Sequence, residues 1–134
     1  MNVQQRTILY VEDDADDREF LTEAISEASP DVRVICAENG LVALKYLDEL
    51  KNHSTALPCL IVLDINMPFM DGKAVYQAIK KDPVLDQVPV MILSSSERPD
   101  DKKMFSNLGV EFITKPSDLL YMNAIANKMV SSCC

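Results

Sequence analysis

The sequence predicts a doubly wound α/β fold with a five-stranded parallel sheet and five helices on two faces, and three observations carry the prediction. Short apolar runs alternate with amphipathic ones along the whole chain. The connections between successive runs are long enough for crossover helices, and the run Cys59–Leu63 shows no polar alternation, as expected of a strand buried on both faces. Strict βα alternation demands a parallel sheet, and right-handed crossovers place helices on both sides.

Taken in order, Thr7–Val11 is strand one, and the helix after it sets Phe20 with Ala24, and Leu21 with Ile25 and Ala28, on a core-facing side. Val32–Cys36 is strand two, and Asn39 suits the N-cap of a helix with Ala43, Leu47 and Leu50 inward. Cys59–Asp64 is strand three. Asp71 caps the third helix, which turns Val75, Ala78 and Ile79 inward and ends at Asp82-Pro83. Val90–Leu93 is strand four. The fourth helix, Pro99 to Leu108, is the most polar of the set, with Met104 and Phe105 as its apolar contacts and Gly109 as its left-handed C-terminal residue. Val110–Thr114 is strand five, and Ser117 is expected to cap a last helix with Met122, Ile125, Ala126 and Met129 on one side.

Composition narrows the function. The 134 residues read as one domain, 1–134, with no output segment after the fifth helix, and 48% hydrophobic content is enough for a core. A net charge of −8 disfavours a nucleic-acid surface. Ile8–Val11 is cut short by Glu12, Asp13 and Asp14, so neither a signal peptide nor a membrane span is expected, and the expected location is cytoplasmic. In a reducing compartment Cys36 and Cys59 are expected as small buried apolar residues, and Cys133 and Cys134 as a frayed tail with reactive thiols. His53 lies in a polar loop and is expected to be exposed.

The chemistry emerges when polar residues are assigned to strand ends. Strand one ends in Glu12-Asp13-Asp14, strand three in Asp64, strand four in Ser94-Ser95-Ser96 and strand five in Thr114-Lys115. In a parallel sheet these ends share one edge, where open α/β sheets place their sites. Clustered carboxylates repel unless a cation neutralises them, and hard oxygen ligands suit Mg²⁺. A lysine and a hydroxyl beside them supply a positive charge and a donor for a phosphoryl group. Asp14, Asp16 and Asp17 read instead as a solvated turn with helix N-terminal charges, and Ser95 and Ser96 as small loop residues.

The segments ILYVEDD, VLDINMPFMDG, VPVMILSSS and FITKP resemble, in order and spacing, the receiver domain of two-component response regulators, over nearly the whole chain. The resemblance is to the single-domain chemotaxis-regulator type and, through VEDDADDREF and MPFMDG, to stand-alone regulators paired with photoreceptor or hybrid kinases. It implies the flavodoxin-like strand order 2-1-3-4-5. It further implies that Asp64 accepts a phosphoryl group from a sensor histidine kinase or histidine phosphotransfer protein. Asp13 would be the direct Mg²⁺ carboxylate, Glu12 an outer ligand through water, and the Asn66 carbonyl a further ligand. Lys115 would pair with phosphoryl oxygens, Ser94 would be the hydroxyl that turns toward them, and Phe112 the aromatic that swings with it. Lys115–Pro116 would be a cis peptide, and Asn66 and Ser96 match positions that tune dephosphorylation. The output would be a downstream protein or a second copy bound across helix four, strand five and helix five, without nucleic acid, membrane or catalysis beyond the domain's own phosphoryl transfer and dephosphorylation. A nucleotide- or flavin-binding domain would need a glycine-rich turn after strand one, which is absent. A phosphatase would want a second acid where Asn66 stands. A scaffold that is never phosphorylated has no use for the intact acidic set.

Overall fold

The computed structural model describes residues 6–133. Five strands, β1 (Arg6–Val11), β2 (Val32–Ala37), β3 (Leu60–Leu63), β4 (Val90–Ser94) and β5 (Glu111–Thr114), form one sheet in the order β2-β1-β3-β4-β5. All pairings are parallel. Five helices alternate with them: α1 (Ala15–Ala28), α2 (Gly40–Asn52), α3 (Gly72–Lys81), α4 (Pro99–Asn107) and α5 (Leu119–Ser132). A 3₁₀ turn at Leu85–Gln87 precedes β4.

Alternation along the strands builds two cores. Leu9, Val11, Ile61, Leu63 and Ile92 face α2, α3 and α4, where Ala43, Leu47, Val75, Tyr76, Ile79 and Phe105 meet them. Ile8, Tyr10, Leu60, Val62 and Leu93 face α1 and α5, against Leu21, Ile25, Met122, Ala126 and Met129. Every residue of β3 is buried, so burial rather than alternation writes its sequence. Leu50, Ala78 and Ile125, expected inward, are half-buried, and Ile125 packs against the second core.

Asp14, Asn39 and Asp71 cap α1, α2 and α3, each side chain accepting a backbone N–H three residues on at 2.9 Å. The cap of α5 is Asp118 rather than Ser117, because the Asp118 carboxylate accepts the N–H groups of both Leu120 and Tyr121. At the end of α3, Asp82 accepts from Val84 and Leu85 N–H and pairs with Lys51 of α2 at 2.5 Å. Gly109 has φ +73, the left-handed conformation anticipated for it.

The cysteines depart from expectation. Cys59 and Cys133 are joined in a disulfide across 74 residues of sequence. Cys133 is therefore no frayed tail: it is buried at the C-cap of α5, and its carbonyl accepts from the Arg6 guanidinium at 3.3 Å. The cause is topological, since α5 runs back along the sheet and brings its last turn to the start of β3. Cys36 is not buried either, because β2 is the sheet's edge strand. Its thiol is exposed, 3.7 Å from Thr22 Oγ1. Cys134 lies outside the described residues.

A cross-link over so long a loop constrains the unfolded chain strongly. Reduction, or Cys133→Ser, is expected to lower the unfolding free energy by about 2–4 kcal/mol in denaturant titrations. Equal stability of oxidised and reduced protein would show that the link does not form in solution.

Candidate functional site

The parallel sheet ends β1, β3, β4 and β5 together, and the polar residues that follow them converge. Glu12 N–H donates to Ala37 O and Asp64 N–H to Val11 O, so Glu12 and Asp64 continue the strand ladders by one residue. Both are buried, at 0% and 4% exposure. Gly72 lets the start of α3 lie directly against this strand end: a Cβ there would stand 2.2 Å from the Asp64 carbonyl, and Gly72 N–H donates to Ile65 O.

Lys115 enters from β5, its backbone N–H donating to Ser94 O at 3.0 Å. Its Nζ donates to Glu12 Oε1 at 2.7 Å, Asp17 Oδ2 at 2.8 Å and Asp64 Oδ2 at 3.3 Å. The other Asp64 oxygen accepts from the N–H of Ile65 at 2.8 Å. Asp13 is exposed at the rim, and Arg18 Nη1, one turn into α1, fixes the backbone here through the Glu12 and Asp13 carbonyls. A shallow cleft lined by Asp13, Glu38, Asn39, Pro68 and Phe69 opens beside them.

The electrostatics follow from crowding like charges in a buried place. Burial, and next the neighbouring Asp64 carboxyl group, raise the Glu12 carboxyl to about 9 against the pull of Lys115. Burial would lower the Lys115 ammonium, but its hydrogen bonds to Asp17 and Glu12 outweigh this and raise it. Burial likewise works to raise Asp17, and its hydrogen bond from Lys115, with the neighbouring Glu12 carboxyl next, reverses the sign.

Carboxylate oxygens of Glu12, Asp13 and Asp64 lie within 4.8 Å of one another, and Glu12 Oε2 is buried with no hydrogen-bond partner. A buried oxygen without a partner, on one of three clustered acidic side chains, fits a hard divalent cation. Glu12, Asp13, Asp64 and Lys115 thus come together as expected. Asn66 stands exposed two residues beyond Asp64, and no contact from it to the acidic group is seen.

Ser94 is fully buried at the end of β4, its Oγ accepting from Ser96 N–H at 3.2 Å. Phe112, on the neighbouring strand, is half-buried with its ring 6.3 Å from that of Phe105 and Lys102 Nζ 6.0 Å from its centroid. The Lys115–Pro116 peptide is trans, against the cis bond the resemblance implied. Trans is the lower-energy form of such a bond by default. His53 is exposed, as anticipated.

Two residues exceed their sequence reading. Asp17 is not merely a solvated helix-start charge: it belongs to the Lys115 cluster. Its position one turn after Asp13 was the available signal, and Asp16, which is exposed, carried an equally good claim to solvent. Ser96 is not a spacer: it is buried, with its hydroxyl donating to Asp101 Oδ2 at 2.9 Å.

The chain matches the response regulator receiver domain model over residues 8–127. It is 33% identical to response regulator Rcp1 of Synechocystis sp. over 85% of this chain and 79% of that protein. It is also 32% identical to a probable cyclic di-GMP phosphodiesterase of Vibrio cholerae, but spans only 24% of that protein's length. Among solved structures it resembles the phosphorylated cyanobacterial phytochrome response regulator RcpA, with TM-score 0.83 and 32% identity over 94% of this chain and 91% of that one. The Mn²⁺-bound form of Rcp1 is similar at TM-score 0.81 and 30% identity, over 94% of this chain and 92% of that one. Among the described residues no helix is long and apolar enough to cross a membrane. With the sheet order, the acidic strand ends and the lysine after β5 all in agreement, the chain belongs to the response regulator receiver domain family.

Proposed function

We propose that this receiver domain is a phosphorelay switch, in which Asp64 accepts a phosphoryl group from a histidine of a sensor kinase or phosphotransfer protein. The observation that carries the reading is the Lys115 ammonium shared among Glu12, Asp17 and Asp64 at the carboxyl edge of the sheet. An Asp64 oxygen attacks phosphorus, the phosphorus–nitrogen bond breaks, and its electron pair remains on the imidazole nitrogen. Lys115 already contacts the accepting carboxylate, so its ammonium can follow the added oxygens without crossing solvent. Bound by Asp13 and Asp64, with Glu12 through water and the Asn66 carbonyl, Mg²⁺ would offset the charge of the incoming group. The domain would catalyse only this transfer and its own dephosphorylation.

Signalling follows from what the aspartyl phosphate lacks. The added group brings about two negative charges and strong acceptor oxygens. Lys115 offsets charge, and the buried Ser94 hydroxyl supplies a neutral donor from the end of β4. Its turn toward the phosphoryl group draws the loop after β4 inward and frees space toward Phe112. Completing the burial of that half-buried ring contributes about 1 kcal/mol, a bias rather than a lock. The surface of α4, β5 and α5 would then meet a downstream protein or a second copy. The relatedness to phytochrome response regulators supports a photoreceptor kinase as donor.

Three outcomes test the reading. Incubation with acetyl phosphate and Mg²⁺ should add one phosphoryl group, measured by intact mass. An Asp64→Asn variant that labels as well as the parent would refute the acceptor. Mg²⁺ should raise thermal stability by about 1–3 kcal/mol at saturation, and the double variant Asp13→Asn with Asp64→Asn should lose that response; its persistence would place the ion elsewhere. Ser94→Ala should still be phosphorylated while losing most phospho-dependent partner binding, read by comparing labelling with pull-down in that one variant. An undiminished rise in affinity would assign the relay to another residue.

A further inference from the structure

A second polar chain runs through the loop after β4, outside the acidic cluster. Ser96 N–H donates to Ser94 Oγ, and the Ser96 hydroxyl donates to Asp101 Oδ2. The other oxygen of Asp101 lies 2.5 Å from Lys73 Nζ, on α3 one residue after Gly72. Arg98 N–H, at 3.4 Å, adds a contact to Ser96 Oγ. Asp101 is 2% exposed although it belongs to the most polar helix. The Lys73 ammonium, and then the Ser96 hydroxyl, overcome the effect of burial and hold its carboxyl below the usual carboxylate range.

Ser94 therefore does not stand alone. Its hydroxyl carries the N–H of Ser96, the Ser96 hydroxyl is tied to α4, and α4 is tied through Lys73 to α3. The rest of α4 is thinly anchored: Phe105 is its one fully buried apolar side chain, with Met104 half-buried. We propose that Lys73 and Asp101 form a latch, positioning residues that hold the Ser94 loop and the first turn of α4 against α3 in the resting arrangement and so set how readily the domain switches. The proposal rests on Asp64 being the phosphoacceptor. Any contact made only in the resting arrangement opposes the alternative one, so removing it shifts the population toward the arrangement that binds a phosphoryl group.

The test is a titration of the parent, Lys73→Met and Lys73→Arg with beryllofluoride and Mg²⁺, alongside thermal melts. Lys73→Met should melt lower yet bind beryllofluoride about fivefold or more tightly, while Lys73→Arg, which keeps the charge, should stay near the parent. A role confined to stability would lower the melting temperature without tightening the ligand. Should Lys73→Met fail to fold, Ser96→Ala cuts the same chain without stranding a buried charge, and tighter binding is expected there too. Equal or weaker binding by the folded variant, with the parent binding normally, overturns the latch alone. No binding by the parent overturns the phosphoacceptor reading and the latch with it.

Discussion

The Lys115 ammonium sits among Glu12, Asp17 and Asp64, with Asp13 completing the acidic group at the rim, and the carboxyl ends of the strands are gathered around that contact. Carboxylates packed this closely away from water repel strongly, because the interior screens charge far less than solvent does. One ammonium cannot balance them all. The raised Glu12 carboxyl and the unpartnered Glu12 oxygen are the visible remainder. To bring even this much together, β1, β3 and β5 must end at one edge of the sheet, α3 must start directly on Asp64, and Gly72 must have no side chain.

The two ends of the molecule are built differently. At the amino end of β3, Cys59 is joined to Cys133, and Arg6 reaches the Cys133 carbonyl, so α5 is fixed to the sheet by a covalent bond and a hydrogen bond. At the carboxyl end the contacts are polar and charged. Ser94 accepts from the Ser96 N–H, and Asp101 is held by a lysine that is itself partly solvated. Local rearrangement costs least where few buried apolar contacts must be broken. The sparse apolar anchoring of α4, the helix between the Ser94 loop and β5, places a thinly anchored element next to the site.

Both faces of the sheet needed only apolar periodicity to be anticipated. The run Leu60-Ile61-Val62-Leu63, the helix stripes around Leu21, Leu47 and Ile79, and the caps at Asn39 and Asp71 are local signals, each read within a few residues. The acidic residues at strand ends were legible for the same reason, because a parallel sheet puts every strand's carboxyl end on one edge whatever its strand order.

Contacts that join distant parts of the chain left no such trace. The sequence by itself determined the five βα units, the parallel sheet and the placement of Glu12, Asp13, Asp64, Ser94 and Lys115 at one edge, since these depend on period and polarity along short stretches. Only the tertiary structure decided that Asp17 joins Lys115 while Asp16 faces water, that Ser96 and Lys73 bury Asp101 on a polar helix, that Cys36 is exposed on an edge strand, and that Cys59 meets Cys133. The physical reason is common to all four: a charge, a hydroxyl or a thiol reads alike in solvent and in a pair, and the partner that distinguishes the two arrives from another element of the fold.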